Sequence, residues 1–199
     1  MARYTGPIQK KLRSLGLDTY GAYGTRKEKR VNQTFVRRRR TSAYGLQLKE
    51  KQKAKFLYGV LEKQFRNYYE KARIKEGAAG DNLMIFLEQR LDNVLYRSGM
   101  FLSRKQARQA ANHGHFHVND RKVNIPSYQV QKGDKIQWTE RSKKSSLFEI
   151  AQNNCKSIPS PHWIELDQSS MITSILTEPM ADDGELIIDT RQIVELYSK

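Results

Sequence analysis

The sequence contains a single cysteine, Cys155, among its 199 residues. One thiol cannot form an internal disulfide, and it cannot supply the cysteine cluster of a structural zinc site. No run of about 18 apolar residues is present, so the sequence predicts no membrane span. The opening residues, MARYTGPIQKKLRSLG, include no apolar stretch of signal-peptide length. We therefore expect a protein of a reducing compartment, without a cofactor and without secretion.

Negative charge is also scarce, since 21 Asp and Glu stand against 36 Lys and Arg, for a net charge of +15. Residues 1–55 carry 16 basic and 3 acidic side chains, residues 56–144 carry 17 and 9, and residues 145–199 carry 3 and 9. Such an excess is typical of proteins that bind a polyanion, with nucleic acid the first candidate and an anionic membrane the second. The binding surface is thus predicted within the first three quarters of the chain.

Residues 1–43 have few large apolar side chains and no lasting hydrophobic period. Such a segment cannot offset its ordering entropy by burial, so we expect it to be disordered alone and to order on RNA. Its aromatic residues, among them Tyr4, would offer stacking faces between the cations, whereas a plain solvated tail needs none. The candidate cations near its start are Lys10, Lys11 and Arg13.

Residues 44–99 show helical spacing of apolar side chains. YGLQLKEKQKAKFLYGV predicts a lysine-rich helix that Gly59 interrupts, and LEKQFRNYYEKA predicts a second helix. A third helix is predicted through Leu83 and Leu95, with Gly99 just after its end.

The stretch SRKQARQAANHG, residues 103–114, predicts a helix with a capping box at Ser103 and Gln106 and a stop at Gly114. Three alanines fall on one side of this helix, where they would pack closely on a neighbour. An arc of about 140° on the other side would present cations and amides to a phosphate backbone, or simply to solvent. The residues in this arc are Arg104, Lys105, Arg108, Gln109 and Asn112.

The hydrophobic period changes to two after Gly114. Phe116 and Val118 are predicted to face the core, and His115, His117 and Asn119 the opposite side. Residues 91–138 are therefore predicted to form two helices followed by a small set of strands. Further along, SLFEIAQNNC favours a helix, PSPHWIEL favours a loop and a strand, and LIIDTRQIVELYS favours an extended piece followed by a helix.

Three histidines at alternate positions, His113, His115 and His117, allow several readings. A tight metal site needs a third or fourth well-placed ligand, and only Asp120 lies nearby in sequence, so no metal site is predicted. Contact of His113 and His115 with an RNA backbone is the favoured hypothesis. For His117 in particular, the alternative interpretation is a polar side chain on the open face of a strand, without a specific function.

The triplet Arg-Leu-Asp within QRLDN, residues 89–93, also occurs around the catalytic aspartate of pseudouridine synthases. Here the pattern places Asp92 inside an amphipathic helix, where Arg90 or Tyr96 could pair with it. An RNA-modifying enzyme would also need a catalytic domain of roughly 150–200 residues, for which the chain has no room. We therefore predict that the protein is not an enzyme.

Five blocks of the sequence resemble, in the same order, the bacterial and organellar S-four family of small-subunit ribosomal proteins. These blocks are MARYTGP, YGLQLKEKQKAKFLYGVLEKQFRNYY, RLDNVLYRSG, SRKQARQAANHGHFHVNDRKVNIPSYQVQKGDKI and IVELYSK. The resemblance implies an α+β fold, a helical domain interrupted by a small helix-helix-β RNA-binding module, with a disordered basic N-terminal extension. The implied domains are 1–43, the extension that orders on rRNA; 44–90 plus 176–199, the helical domain; and 91–175, the module, with its core at 91–138.

The family resemblance also implies function. Members bind the 5′ domain of small-subunit rRNA at a multi-helix junction, nucleate assembly, line the channel by which mRNA enters and contribute to decoding accuracy. The implied partners are that rRNA, mRNA and ribosomal proteins S-three and S-five, with no membrane, and the implied location is the cytoplasmic small subunit, an organellar ribosome being the alternative. The implied RNA-binding residues are Arg3, Tyr4, Tyr44, Gln47, Lys51, Gln52, Lys53, Arg104, Lys105, Arg108, Gln109, His113, Asn119 and Arg121.

The arginine run just before the YGLQLKEKQK block matches the family's arginines at the mRNA channel. The residues concerned are Arg37, Arg38, Arg39 and Arg40. Many relatives hold zinc through N-terminal cysteines, or carry a Pro-Gly-Gln-His-Gly turn before the arginines, and residues 16–36 have neither. This departure predicts a zinc-free form, and it is the reason to keep an off-ribosome RNA binder as an alternative.

Overall fold

The computed structural model describes residues 4–17 and 42–198. The chain divides into two compact units. The first contains residues up to Arg66 together with those from Ile187 onward, and the second is Asn67–Leu186. The domain boundaries implied by the family resemblance stay a prediction.

The first unit is helical. It contains α1 (Ile8–Ser14), α2 (Ala43–Leu57), the beginning of α3 (Glu62–Ile74) and α9 (Thr190–Tyr197). Ser42 caps α2 by accepting a hydrogen bond from the Gly45 amide, and Asp189 caps α9. The closing helix α9 packs on α2, where Gln47 Nε2 donates to Glu195 Oε2 at 2.9 Å. The predicted final helix is thus confirmed.

Residues 4–17 differ from the coreless segment that the composition predicts. Leu12 of α1 is buried, and so are Leu15 and Leu17 just after the end of this helix. The ring of Tyr4 meets Phe56 edge to face, with centroids 5.2 Å apart. Three leucines in and just after this short helix supply its buried side, and α1 packs on α2 although the segment as a whole is polar.

The second unit carries the remaining helices and the sheet. Its helices after α3 are α4 (Ala79–Glu88), α5 (Leu91–Arg97), α6 (Arg104–Asn112), α7 (Glu140–Lys143) and α8 (Ser146–Cys155). A short 3-10 turn spans Ala181–Asp183. The helices predicted at 103–114 and within SLFEIAQNNC are confirmed.

The single helix predicted through Leu83 and Leu95 is instead two, α4 and α5, with a break at Arg90. The backbone of Arg90 is extended there and forms an isolated antiparallel bridge with Gln129. The side chain of Arg90 is fully buried against Asp92. Tertiary pairing of this residue therefore overrides a helical pattern that is continuous in the sequence.

Five antiparallel strands form one sheet in the order β2-β1-β3-β5-β4. The strands are β1 (Phe116–Val118), β2 (Arg121–Val123), β3 (Lys135–Trp138), β4 (Ile164–Asp167) and β5 (Ile172–Ile175). Phe116 and Val118 are buried, as the alternation predicts, whereas His115 and His117 are half-buried and Asn119 is exposed.

The core of the second unit is rich in aromatic side chains. Phe116 and Trp138 lie with ring centroids 4.6 Å apart, and Phe101 contacts both rings at 6.2 Å. The alanine face of α6 and fully buried Trp163 join the same cluster. This packing fixes α6 and the first strands as one rigid body within the unit.

Candidate nucleic-acid interface

Helix α6 has the two faces that its sequence predicts. The Ser103 side chain accepts a hydrogen bond from the Gln106 amide at 3.2 Å and caps the helix. The alanine face is fully packed, with Ala107, Ala110 and Ala111 buried. On the other face the exposed side chains include Lys105, Gln109 and Asn112. A helix seated by small residues holds these donors firmly.

Arg104 of this face is engaged by groups of its own unit. Its Nε donates to Asn93 Oδ1 at 2.7 Å and its Nη2 to Glu185 Oε1 at 2.6 Å. The guanidinium also lies 4.5 Å from the centre of the Tyr96 ring. Only 11% of the Arg104 side chain is exposed. Its contact with RNA stays a prediction, but its ion pair with Glu185 is a contact that the helical spacing could not reveal.

Arg108 is held in a similar way. Its Nη1 donates to Asp92 Oδ2 at 3.2 Å, and 13% of its side chain is exposed. Asp92 is buried and also pairs with Arg90, so it is enclosed by two guanidinium groups. Two of the three cations predicted on the α6 face thus compensate buried carboxylates, and Lys105 is the exposed cation.

The segment that follows α6, residues 113–121, carries the remaining predicted residues of the second unit. His113 and Arg121 are exposed. Asn119 is also exposed, but its side-chain amide forms two hydrogen bonds within the protein. Nδ2 donates to Asp134 Oδ1 at 2.7 Å, and Oδ1 accepts from the Lys135 backbone amide at 3.0 Å. Asn119 and Asp120 both have positive φ, as in the tight turn that joins two paired strands. The side chain of Asn119 therefore shapes the hairpin from which Arg121 projects.

His115 lies between the helix and the strands, with Nδ1 2.7 Å from Ser142 Oγ. Partial burial lowers the pKa of His115, and neighbouring His113 and Lys122 lower it further. The imidazole is therefore neutral at pH 7 and bonds through one N–H. Within residues 4–17 and 42–198, no three His, Cys, Asp or Glu side chains come together as metal ligands.

Acidification is expected to destabilise the wild-type protein more than the His115→Gln variant. Because the folded pKa of His115 is below its unfolded value of about 6.5, the unfolded chain takes up more protons as the pH falls through that value. We would compare urea unfolding at pH 7.5 and 5.5, followed by the fluorescence of Trp138 and Trp163, both buried in the second unit. An equal loss of stability in both proteins would contradict the assignment.

The predicted residues of α2 are mostly turned toward the protein. Gln47 is buried against Glu195, Lys51 forms an ion pair with Glu62, and Lys53 forms one with Glu50. Gln52 is half-buried, and Tyr44 is 58% exposed. Of this set, Tyr44 therefore offers the largest accessible surface.

The other predicted residues of the first unit belong to its N-terminal part. Lys10, Lys11 and Arg13 are exposed on α1, and Tyr4 is half-buried against Phe56. Arg3 and the run Arg37, Arg38, Arg39 and Arg40 lie outside the described residues. The structure thus brings the cations of α1 together but leaves the arginine run a prediction from sequence.

Lys122 on β2 is an exposed cation that the sequence-based candidates omit. A Cβ added at Gly114 would lie 2.7 Å from Lys122 Cε, so the lysine stem crosses directly over this glycine. The ammonium group is thereby brought to the C-terminal end of α6, close enough to affect His115. Alternation with Val123, which packs against the core, was the available sequence signal for the outward position of Lys122, whereas its pairing with His117 comes from the register in the structure.

No helix in the described part of the chain is long and apolar enough to cross a membrane.

Comparison with known proteins gives two adjoining matches. A family model described as the Ribosomal protein S4/S9 N-terminal domain matches residues 3–88, and one described as the S4 domain matches residues 89–136. The latter range contains α5, α6, β1, β2 and the start of β3, hence nearly all of the module core predicted at 91–138.

Full-length relatives agree with these matches. Small ribosomal subunit protein uS4 of Corynebacterium kroppenstedtii is 45% identical over 201 residues, covering all of both chains. The protein of that name from Cutibacterium acnes is 46% identical over 203 residues, again covering both chains fully. The one from Chlorobium limicola is 43% identical over 207 residues with the same coverage. On these matches, the chain belongs to the uS4 family of small ribosomal subunit proteins.

Proposed function

We propose that this chain is a structural constituent of the small ribosomal subunit that binds the 5′ domain of its rRNA at a junction of several helices, and so nucleates assembly. The observation that carries the proposal is similarity over the full length to proteins named small ribosomal subunit protein uS4, with the S4 domain on residues 89–136.

The surface geometry supports binding to a folded RNA. Lys105, Gln109 and His113 are exposed along one rigid helix and its end, and Arg121 projects from the adjoining hairpin. A rigid array of donors follows phosphate positions, and it therefore recognises the shape of an RNA fold rather than a sequence of bases.

The finer parts of the proposal follow the family. The arginines at 37–40 would line the channel by which mRNA enters the subunit, ribosomal proteins S-three and S-five would be the neighbours, and the chain would contribute to decoding accuracy in a cytoplasmic ribosome. The match of the Ribosomal protein S4/S9 N-terminal domain to residues 3–88, which include the arginine run, supports this part.

A non-enzymatic role agrees with the environment of Asp92. In the alternative of an RNA-modifying enzyme, this aspartate would have to stand open beside a flipped base. Only 3% of Asp92 is exposed, and its carboxylate accepts hydrogen bonds from Arg90 and Arg108. The residue therefore stabilises the fold of the second unit.

Co-sedimentation of the tagged chain with ribosomal subunits tests the proposal in cells of the source organism. We expect the chain in the small-subunit fraction and in translating ribosomes, and in particles that precede the complete small subunit. Recovery at the top of the gradient, bound to other RNA, would instead support the off-ribosome alternative.

A further inference from the structure

His117 stands in the middle of a polar row that crosses three strands. The register pairs His117 with Lys122 of β2 and with Gln137 of β3. Residues directly opposite each other in antiparallel strands lie on the same face, with Cβ atoms about 5 Å apart. Since Phe116 and Val118 on either side of His117 are buried, this row occupies the face that points away from the core.

Lys122 connects this row to the end of α6. Its stem crosses Gly114, whose φ of +71° and missing side chain leave room for it. Its ammonium group therefore lies beside the region of His113 and His115, at the end of the helix. Lys122 thus links the end of α6 to the outer face of the sheet.

Helix α7 adds positive charge beside His117. Helix α7 follows β3 directly, and the Thr139 amide that precedes it donates to the His115 carbonyl. The Ser142 hydroxyl of α7 lies 2.7 Å from His115 Nδ1, so this helix is held beside the start of the strand that carries His117. Because Lys143 already pairs with Glu140 at 2.6 Å, exposed Lys144 leaves a net positive charge at this end of the row.

We propose that Lys122, His117, Gln137 and Lys144, here called the sheet surface, bind the phosphate backbone of an rRNA strand next to the one that contacts α6. The proposal rests on the proposed function, because it enlarges the RNA-binding surface of the same unit. The two lysines supply charge, and the imidazole and the amide supply directed N–H donors.

The carboxylates around this surface leave the charge balance positive. Asp120 accepts a hydrogen bond from Gln137 Nε2, which holds the amide across the row. The negative charge of Glu140 is matched by Lys143. A row of half-buried donors with a lysine at each end is suited to an extended anion such as a phosphodiester chain, whereas a surface that merely faces water needs no such alignment.

The test is equilibrium binding of the full chain to 5′-domain rRNA, with an unrelated structured RNA of equal length as reference. For the Lys122→Gln, Lys144→Gln double variant, we expect affinity for the 5′-domain RNA to fall about 10-fold at about 0.1 M salt, and the slope of log affinity against log salt to flatten by about one to two units. The Lys122→Arg, Lys144→Arg variant should restore both.

The matched control is Lys71→Gln with Lys156→Gln, which removes two exposed lysines outside the sheet surface. Control binding close to wild type is expected. If wild type shows no preference for 5′-domain RNA, the proposed function fails. If wild type shows the preference and the sheet-surface variant keeps wild-type affinity and salt slope, the sheet surface alone is refuted, and the proposed function stands.

Discussion

Replacing Asp92 by alanine is expected to lower the free energy of unfolding of the second unit by about 3–5 kcal/mol. Asp92 receives two hydrogen bonds from Arg90, at 3.0 and 2.7 Å, and one from Arg108. Arg90 is fully buried. Without the carboxylate, its positive charge would stay in the interior with only the hydroxyl of Tyr68, 2.8 Å away, among the partners identified for it.

The pKa of Arg90 also indicates that Asp92 stabilises the buried guanidinium. Burial by itself lowers the pKa of its guanidinium, but the charge of Asp92 and the hydrogen bonds to it, together with the contributions of Tyr68, outweigh burial, and the pKa is raised. Urea unfolding followed by tryptophan fluorescence measures the effect, with Asp92→Asn separating charge from volume. The control is Glu70→Ala, which removes a half-exposed carboxylate 3.9 Å from Arg73 and should change stability by less than about 0.5 kcal/mol. A loss that small for Asp92→Ala would contradict the buried ion-pair network.

Reversing the charge of Lys105 and Arg121 together is expected to weaken binding to the 5′-domain rRNA by about 100-fold at about 0.1 M salt. Both side chains are exposed, so reversal removes two phosphate contacts and adds repulsion while leaving the core intact. The measurement is a binding titration of the Lys105→Glu, Arg121→Glu variant, together with its unfolding curve.

Arg104 and Arg108 are unsuitable for this experiment. A glutamate at position 104 would face Glu185, and one at position 108 would face buried Asp92, so either change would destabilise the unit. Lys71→Glu with Lys156→Glu reverses two charges elsewhere and should weaken binding far less. Equal weakening by both pairs would show that total charge, rather than the α6 surface, determines affinity.

Features that depend on local sequence were predictable. The cap at Ser103, the alanine face of α6 and the alternation around Phe116 follow from hydrogen-bonding capacity and from hydrophobic period. The exposed position of Lys105 follows from the same helical spacing. These features agree with the structure because neighbours a few residues away determine them.

Features that depend on distant contacts were not predictable. Arg104 meets Glu185 from 81 positions away, and this partly buried ion pair is a contact that the helical spacing does not indicate. The bridge between Arg90 and Gln129 breaks a helix whose apolar pattern is continuous. In each case the residue that determines the local structure or pairing comes from a distant part of the chain, and a single sequence does not reveal such contacts.

The first unit gives a similar result. The lysines of α2 form a run of positive charge in the sequence. In the fold, however, Lys51 forms an ion pair with Glu62, and Lys53 forms one with Glu50. Partial burial favours a raised pKa for Glu62, yet the hydrogen bonds and the charges of Lys51 and Lys55 together outweigh burial and lower the pKa. A count of basic residues therefore overestimates the charge that α2 offers to RNA.

The most direct test of the central claim is the salt dependence of binding by the wild-type chain. We would titrate the protein against the 5′-domain rRNA junction and against an unrelated structured RNA of equal length, from about 0.1 to about 0.4 M salt. A preference for the junction that persists at the highest salt is the predicted result, because a rigid surface matched to one RNA shape keeps its advantage when general phosphate attraction is screened. An equal loss of affinity for both RNAs would contradict the claim, because it would leave only the non-specific attraction of a basic protein for RNA.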